Sequence, residues 1–506
     1  MTATNLFDAF SATVARHPDR DAFRCGDDSW TYSTWQRRAD DFRMAYRRAG
    51  VVRGDRVLIW MSNSVQIAAA IVGAWAEDAI PALMDAACRA PQLENAVRTA
   101  APRLVVRAAS TALPPGAAVG ALLVAEDVPP ASLDSQTRSL SLPTDPASIV
   151  FTSGSTGQPK GVVQSHGNLI RACGAVASYL GVREDDVLLC PVPWSFDYGY
   201  GQLLSTAILG VTQVIPPAFT PFGICEALER HRPTVLAGLP ALFTYLMGGM
   251  SPILGTDRSP VRLITNTGGQ VPAPVLRSLR DAFPQATVVL NYGLTETYRS
   301  CYVPQGVPDR PGLIGRPIPG ADVVIVREDG SLADEGEEGE IVHRGDYVCL
   351  GYWNDPEATA RSVRPDPLLP AGTPFPGRAV YTGDYGYRDA DGFVVYRGRR
   401  DHLLKSMGIR VSPGEIEHLL YESGLVELAA VFGRPHELLG HEVWAAVTFK
   451  AGVTDGRARL TRYARDVMTP AMLPRRYLYK DAMPRTTTGK IDYPALRAEA
   501  DALAAG

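Results

Sequence analysis

Paired cysteines, a basic excess and long apolar runs are all missing from this 506-residue chain. Its seven cysteines (25, 88, 173, 190, 225, 301 and 349) are dispersed, with no C-x-x-C pair and no metal-ligand spacing. That excludes a disulfide framework and a structural zinc site, and it fits reduced thiols in a cytoplasmic compartment. Lys and Arg number 50 against 54 Asp and Glu, a net charge of -4. No broad positive field is therefore available to attract nucleic acid or an anionic membrane. The longest apolar stretch, "AAVGALLVA" at 117–125, is far too short to cross a bilayer. The opening "MTATNLFDAF" lacks the basic-then-apolar order of a secretory leader. The expected location is the cytoplasm.

What is present is an ordinary globular composition, 46% hydrophobic and 21% charged. The length exceeds what one core serves, so at least two domains are expected. "DRVLIWM" (55–61), "SVQIAAAIVGAWA" (64–76) and "IPALMD" read as strand, buried helix and strand, a rhythm that predicts parallel sheets carrying helices. Residues 107–145, rich in Ala, Pro, Ser and Gly, read as surface connection. A second α/β stretch covers about 185–300. Between 320 and 396 the pattern changes to short strands and Gly/Asp turns, which predicts an antiparallel, hairpin-rich subdomain. Beyond 402 a smaller α+β unit remains. The fold class is α/β, with a large domain over 1–400 and a small one over 401–506.

"FTSGSTGQPKG" (151–161) has the glycines, hydroxyls and lysine of a phosphate-holding loop. It departs from the Walker A pattern, because Lys160 is followed by Gly161 and Pro159 stands where the second glycine belongs. Gly154 and Gly157 free the backbone to bring N–H groups to an anion, and Thr152, Ser153, Ser155 and Thr156 add hydroxyl donors. The apolar run 148–151 reads as a strand. A helical face on Leu169, Ile170, Cys173, Val176, Ala177 and Leu180 suggests strand, loop, then helix, where anions are bound at a helix start. Taken alone, such a loop is as often a flexible surface turn.

Other stretches follow in order. In "NYGLTETY" (291–298) Tyr292 offers an aromatic face to a base, and Thr295 and Glu296 offer the hard oxygen ligands that Mg²⁺ prefers beside phosphates. "YTGDYGY" (381–387) places Asp384 at a turn, where a carboxylate can accept two ribose hydroxyls. "YRGRRDHLLKSMGIRVSPGEIE" (396–417) joins the two expected domains, and "PRTTTGKI" (484–491) carries Lys490 behind a glycine. Each has a bland reading as turn, linker or surface charge; five in this order do not.

Together these motifs resemble the adenylate-forming superfamily of acyl-CoA synthetases, luciferase and nonribosomal peptide synthetase adenylation domains, over roughly residues 10–495. The resemblance implies ATP and Mg²⁺ as cofactors and two half-reactions in one site: acyl-AMP formation with pyrophosphate release, then transfer to a phosphopantetheine thiol. It implies that Thr152, Ser153, Gly154, Ser155, Thr156, Gly157 and Lys160 cradle the leaving phosphates. Gly268, Gly269, Asn291 and Tyr292 would flank adenine, and Asp384 and Arg399 the ribose. Thr295 would touch the α-phosphate, Glu296 would hold Mg²⁺, and Lys490 would bridge carboxylate and α-phosphate. Asp401 matches the hinge of a rotating C-terminal domain, and Gly408 the thiol tunnel.

The acid is less defined. Asp197 in "PVPWSFDYGYGQ" (191–202) resembles the aspartate with which amino-acid-activating domains pair the substrate ammonium. A carboxylate in a pocket is costly unless paired. The other reading makes Asp197 the cap of a helix starting near Tyr198. Tyr198, Gly238, Thr267, Leu294 and Tyr298 would shape the rest of a compact pocket. The expected function is activation of a small acid, an amino acid first, for a carrier protein acting in trans. A small-acid ligase using free CoA is the alternative, and a luciferase-like oxygenase or a non-catalytic nucleotide-binding protein the remote ones. Neither nucleic acid nor membrane is expected as a partner.

Overall fold

In the computed structural model, residues 3–88, 90–113, 119–131, 138–153, 159–370, 372–374, 376–399, 404–407, 409–436, 439–485 and 491–505 are described. The chain up to Arg399 builds three sheets, and the chain from Leu404 onward builds a fourth. This is the mixed α/β arrangement with a large and a small unit that the sequence leads one to expect.

The βαβ reading of the first hundred residues holds in detail. Strands Arg56–Trp60, Ile80–Met84 and Leu104–Arg107 run parallel in one seven-stranded sheet, with helix Val65–Ala76 as a crossover. That helix starts at Ser64, whose side chain accepts from the Ile67 amide, and ten of its twelve residues are buried. A helix apolar all round has to be covered on all sides, and helix Tyr32–Arg48 lies against it. A second seven-stranded sheet carries the parallel strands Val187–Leu189, Val235–Gly238, Leu263–Asn266 and Thr287–Val289. The third sheet, from Asn291 to Arg399, is antiparallel throughout its eight strands, as the turn-rich pattern predicts.

Two expectations need correction. The stretch 107–145 is not merely connection: Leu122–Val124 adds a parallel edge strand beside Leu104–Arg107, and Arg38 ties the following turn down through the Ala125 and Val128 carbonyls. More consequentially, the glycine-rich loop does not lead from strand into helix. It joins strand Pro146–Ser153 to a second strand, Pro159–Ser165, as the tip of an antiparallel hairpin, and helix His166–Leu180 begins only afterwards. "VVQS" continues the extended pattern of β-branched residues that the helical reading passed over.

The last hundred residues pack helices Pro413–Glu422, Gly456–Val467 and Tyr493–Ala505 with a five-stranded sheet built on the hairpin Val426–His436/Gly440–Phe449. Glu417 turns inward from the first of these helices and accepts from the Val431 amide and the Tyr493 hydroxyl, both at 2.7 Å. Burial pushes its carboxyl up to about 7 from 4.5. The native state then holds a proton between pH 4.5 and 7 that the unfolded chain has released, so stability falls as pH rises through that window and levels off above it. The full shift is worth about 3 kcal/mol, and partial solvent access brings it nearer roughly 2. Glu417→Gln is expected to melt higher than wild type at pH 8 and near it at pH 5. Melting curves that stay parallel across this range would remove Glu417 from the account. The comparison cancels His166 and His343, which burial holds down at about 4 and which destabilise in the opposite direction, as pH falls.

Candidate active site

The three sheets of the large unit meet around a cleft of about 600 Å³. The parallel strands Leu263–Asn266 and Thr287–Val289 point their carboxyl ends into it, the position at which open α/β sheets bind ligands. The segments that follow them form one wall. There Gly268 and Gly269 have φ of 79° and 145°, values that a β-carbon resists, so these glycines let the backbone line the cleft without side chains. The loop hairpin contributes Thr152 and Lys160. They are directly paired across the two strands, which sets hydroxyl and ammonium side by side on one face.

On the antiparallel side, Asp384 is nearly buried and uses both carboxylate oxygens. One accepts from the Tyr292 hydroxyl at 2.5 Å and the other from Arg399 Nε at 3.1 Å. Burial, and then Asp384 itself, hold the Tyr292 hydroxyl far above the ordinary phenol range, so it remains a donor. Glu296 is organised in the same way. The Tyr352 hydroxyl donates to it at 2.6 Å, and the Lys160 ammonium lies 5.2 Å from the centre of the Tyr352 ring. Tyr352 thereby links the phosphate-loop lysine to the candidate metal carboxylate. Gln164 donates to the Thr295 carbonyl at 2.9 Å and fixes the neighbouring turn.

Thirteen of the residues singled out in the sequence therefore line one cleft: Thr152, Lys160, Asp197, Thr267, Gly268, Gly269, Asn291, Tyr292, Leu294, Thr295, Glu296, Asp384 and Arg399. Asn291 is there by position, but its side chain faces inward, donating to Thr265 and Asn266 and accepting from Tyr179. Gly238, Tyr198 and Tyr298 stand behind the wall rather than on it; Tyr198 and Tyr298 are 2% and 5% exposed. The Ser153 side chain, Gly154, Ser155, Thr156, Gly157, Asp401, Gly408 and Lys490 lie outside the described residues.

Asp197 departs from its reading as a helix cap. It is the first residue of helix Asp197–Leu209, whose N-cap is Phe196, so it does not cap the helix. Against its reading as the partner of a substrate cation stands a cation from the chain itself: Arg299 Nη1 lies 3.5 Å from Oδ2. The guanidinium is 3% exposed and lies between the Tyr198 ring at 4.7 Å and the Tyr298 ring at 5.3 Å. Tyr298 reaches this place with a left-handed φ of 59°. Its hydroxyl packs over Gly201, where an added β-carbon would sit 2.6 Å away. Tyr352, Arg299 and Gln164 are absent from the sequence-based candidates. The one local signal was an arginine embedded in the otherwise uncharged "YRSCYV".

A cleft that brings together the loop lysine, a turn carboxylate and a buried aspartate is consistent with the adenylate-forming superfamily. The chain belongs to the AMP-binding enzyme family, which it matches over residues 10–353, with the AMP-binding enzyme C-terminal domain matched over 415–490. It is an AMP-forming ligase. Among known proteins it is 32% identical to a 2-succinylbenzoate–CoA ligase of Geobacillus kaustophilus (strain HTA426), over 68% of this chain and 67% of that one. Among solved structures, the anthranilate CoA ligase AuaEII with anthranoyl-AMP shares the fold at a TM-score of 0.88 and 22% identity, over 100% of this chain and 99% of that one. ATP-bound MatB from Rhodopseudomonas palustris superposes at 0.85 and 25% identity, over 98% and 99%. No helix among the described residues is long and apolar enough to cross a membrane.

Proposed function

We propose that this ligase activates a small aromatic carboxylic acid with ATP and transfers it to free CoA. The observation that carries this reading is the Asp197–Arg299 pair, of which Asp197 lines the cleft. It weakens the reason for an amino-acid ammonium, which would have to share Asp197 with a guanidinium already beside it. Two of the proteins named above, the 2-succinylbenzoate–CoA ligase and the anthranilate CoA ligase, join an aromatic acid to CoA by their names, which supports the alternative of the original expectation over a carrier protein acting in trans.

In the first half-reaction a carboxylate oxygen attacks the α-phosphorus, a P–O bond forms, and the bridging bond to the β-phosphate breaks with release of pyrophosphate. Little covalent help is needed; charge has to be offset where it gathers. Lys160 and Thr152 would face the leaving phosphates, Thr295 the α-phosphate, Asp384 and Arg399 the ribose, and Tyr292 the base. Glu296 suits Mg²⁺, a hard cation that takes one or two carboxylates together with phosphate oxygens. No cluster of three metal-ligating side chains is found among the described residues. When bound, the ion would offset charge on the phosphate oxygens. In the second half-reaction the CoA sulfur attacks the acyl carbon, the thiol proton is lost and AMP departs. Residues 401–506 would act as the small mobile domain that turns between the two steps.

The test is product analysis with ATP, Mg²⁺ and CoA across benzoate-type acids, medium-chain fatty acids and amino acids. The expected products are an aryl-CoA thioester, AMP and pyrophosphate. Amino-acid-dependent pyrophosphate exchange without CoA consumption would restore the carrier-protein reading and overturn this one.

A further inference from the structure

Resting on the proposal of an aromatic acid substrate, we infer that Asp197 and Thr267 form a recognition end that selects acids bearing a neutral hydrogen-bond donor, a hydroxyl or an aryl amine. Both residues line the cleft. The Asp197 side chain is 21% exposed, and its one side-chain hydrogen bond among the described residues is the long 3.5 Å contact from Arg299 to Oδ2. Thr267 is 4% exposed, and its hydroxyl has no partner among the described residues. Buried polar groups are normally satisfied, and one left bare at a ligand-facing wall calls for an explanation. A donor on the substrate supplies it: a carboxylate oxygen can only accept, and a threonine hydroxyl can both accept and donate.

The charge around this end narrows the chemistry further. A second carboxylate on the substrate would meet Asp197 first, because Arg299 is 3% exposed and lies between the two tyrosine rings. An ammonium would share Asp197 with a guanidinium already beside it. A neutral donor meets neither objection. A site built to bond an OH or NH rejects the analogue that lacks it, because the site's own polar groups are then left unpaired. Asp197 and Thr267 act here on specificity rather than on the reacting atoms.

The experiment compares kcat/KM for benzoate, the hydroxybenzoates, the aminobenzoates and the phthalates by ATP–pyrophosphate exchange, in wild type, Asp197→Ala and Asp197→Asn. Wild type is expected to favour the best donor-bearing acid over benzoate by roughly 10–100-fold, the range for a hydrogen bond to a charged group. In Asp197→Ala that ratio is expected to fall to within a few-fold. Asp197→Asn, whose amide oxygen still accepts, should lie between. Because each ratio compares two substrates on one preparation, loss of folded enzyme cancels. Equal use of benzoate and every donor-bearing acid by wild type, or an unchanged ratio in Asp197→Ala, overturns the inference while leaving the aromatic-acid reading standing. Preference for a phthalate overturns it in favour of Arg299 as the reader. Exchange with none of these acids sinks the aromatic-acid proposal and this inference with it.

Discussion

Lys490→Ala is expected to slow acyl-AMP formation by about 10²–10⁴-fold in a single turnover, while leaving transfer from preformed acyl-AMP to thiol within a few-fold of wild type. Removal of one well-placed donor from a developing oxyanion costs about 10²–10³, and here the group lost also carries full charge. The composition supports the assignment. Only five of the 50 basic Lys and Arg residues are lysines, at 160, 405, 450, 480 and 490. Lys160 faces the cleft, whereas Lys480 is spent on Glu499. In a chain that uses arginine nearly everywhere, lysine at 490 provides a compact charge on a flexible stem, which a planar guanidinium does not replace. Lys490→Arg should accordingly rescue little. The described residues on either side of 486–490 are tied together: Arg485 and Ile491 form a β-bridge, the Asp492 amide donates to the Pro484 carbonyl, and the Tyr493 hydroxyl donates to Glu417. Near-normal single-turnover adenylation by Lys490→Ala would end its assignment.

How much of this was legible depended on how local the signal was. The crossover strands 56–60 and 80–84 and the helix between them announce themselves through short, uniform apolar runs, and the antiparallel sheet through its turns. The nucleotide wall was legible because its parts come as contiguous motifs whose order is informative. Pairings between distant side chains were not. Arg299 is 102 residues from Asp197, and Tyr352 is 56 from Glu296. In each case the sequence presents a carboxylate whose meaning depends on a partner that only folding brings in. Asp197 shows the consequence: the premise that a pocket carboxylate needs a cation was sound, and the cation proved to be internal. The hairpin under the phosphate loop was misread for a different reason, since seven extended residues before a genuine helix blur into its periodicity.

Asp401→Pro is expected to leave acyl-AMP formation within a few-fold of wild type and to reduce thioester formation by two orders of magnitude or more. Residues 401–403 lie between Arg399, the end of the large unit's last strand, and Leu404, the first strand of the small unit's separate sheet. Contacts across this junction include the Arg397–Glu415 pair at 2.9 Å and the Arg485 guanidinium lying 4.6 Å from the centre of the Tyr245 ring. Half-exposed ion pairs contribute on the order of 1 kcal/mol or less, and a cation–π contact at the surface about as much. On the proposed turning of the small unit, contacts of that size could be exchanged for others, and the connection between the units would be where the turn is permitted or refused. Proline fixes φ near −65° and removes one of the two torsions available at the hinge. It acts on the change of state rather than on either chemistry, so the two half-reactions should separate. Measuring both on the same preparation distinguishes this from general damage: equal loss of adenylation and thioester formation places the pivot elsewhere, and no loss of either means that the turn between them does not pass through Asp401.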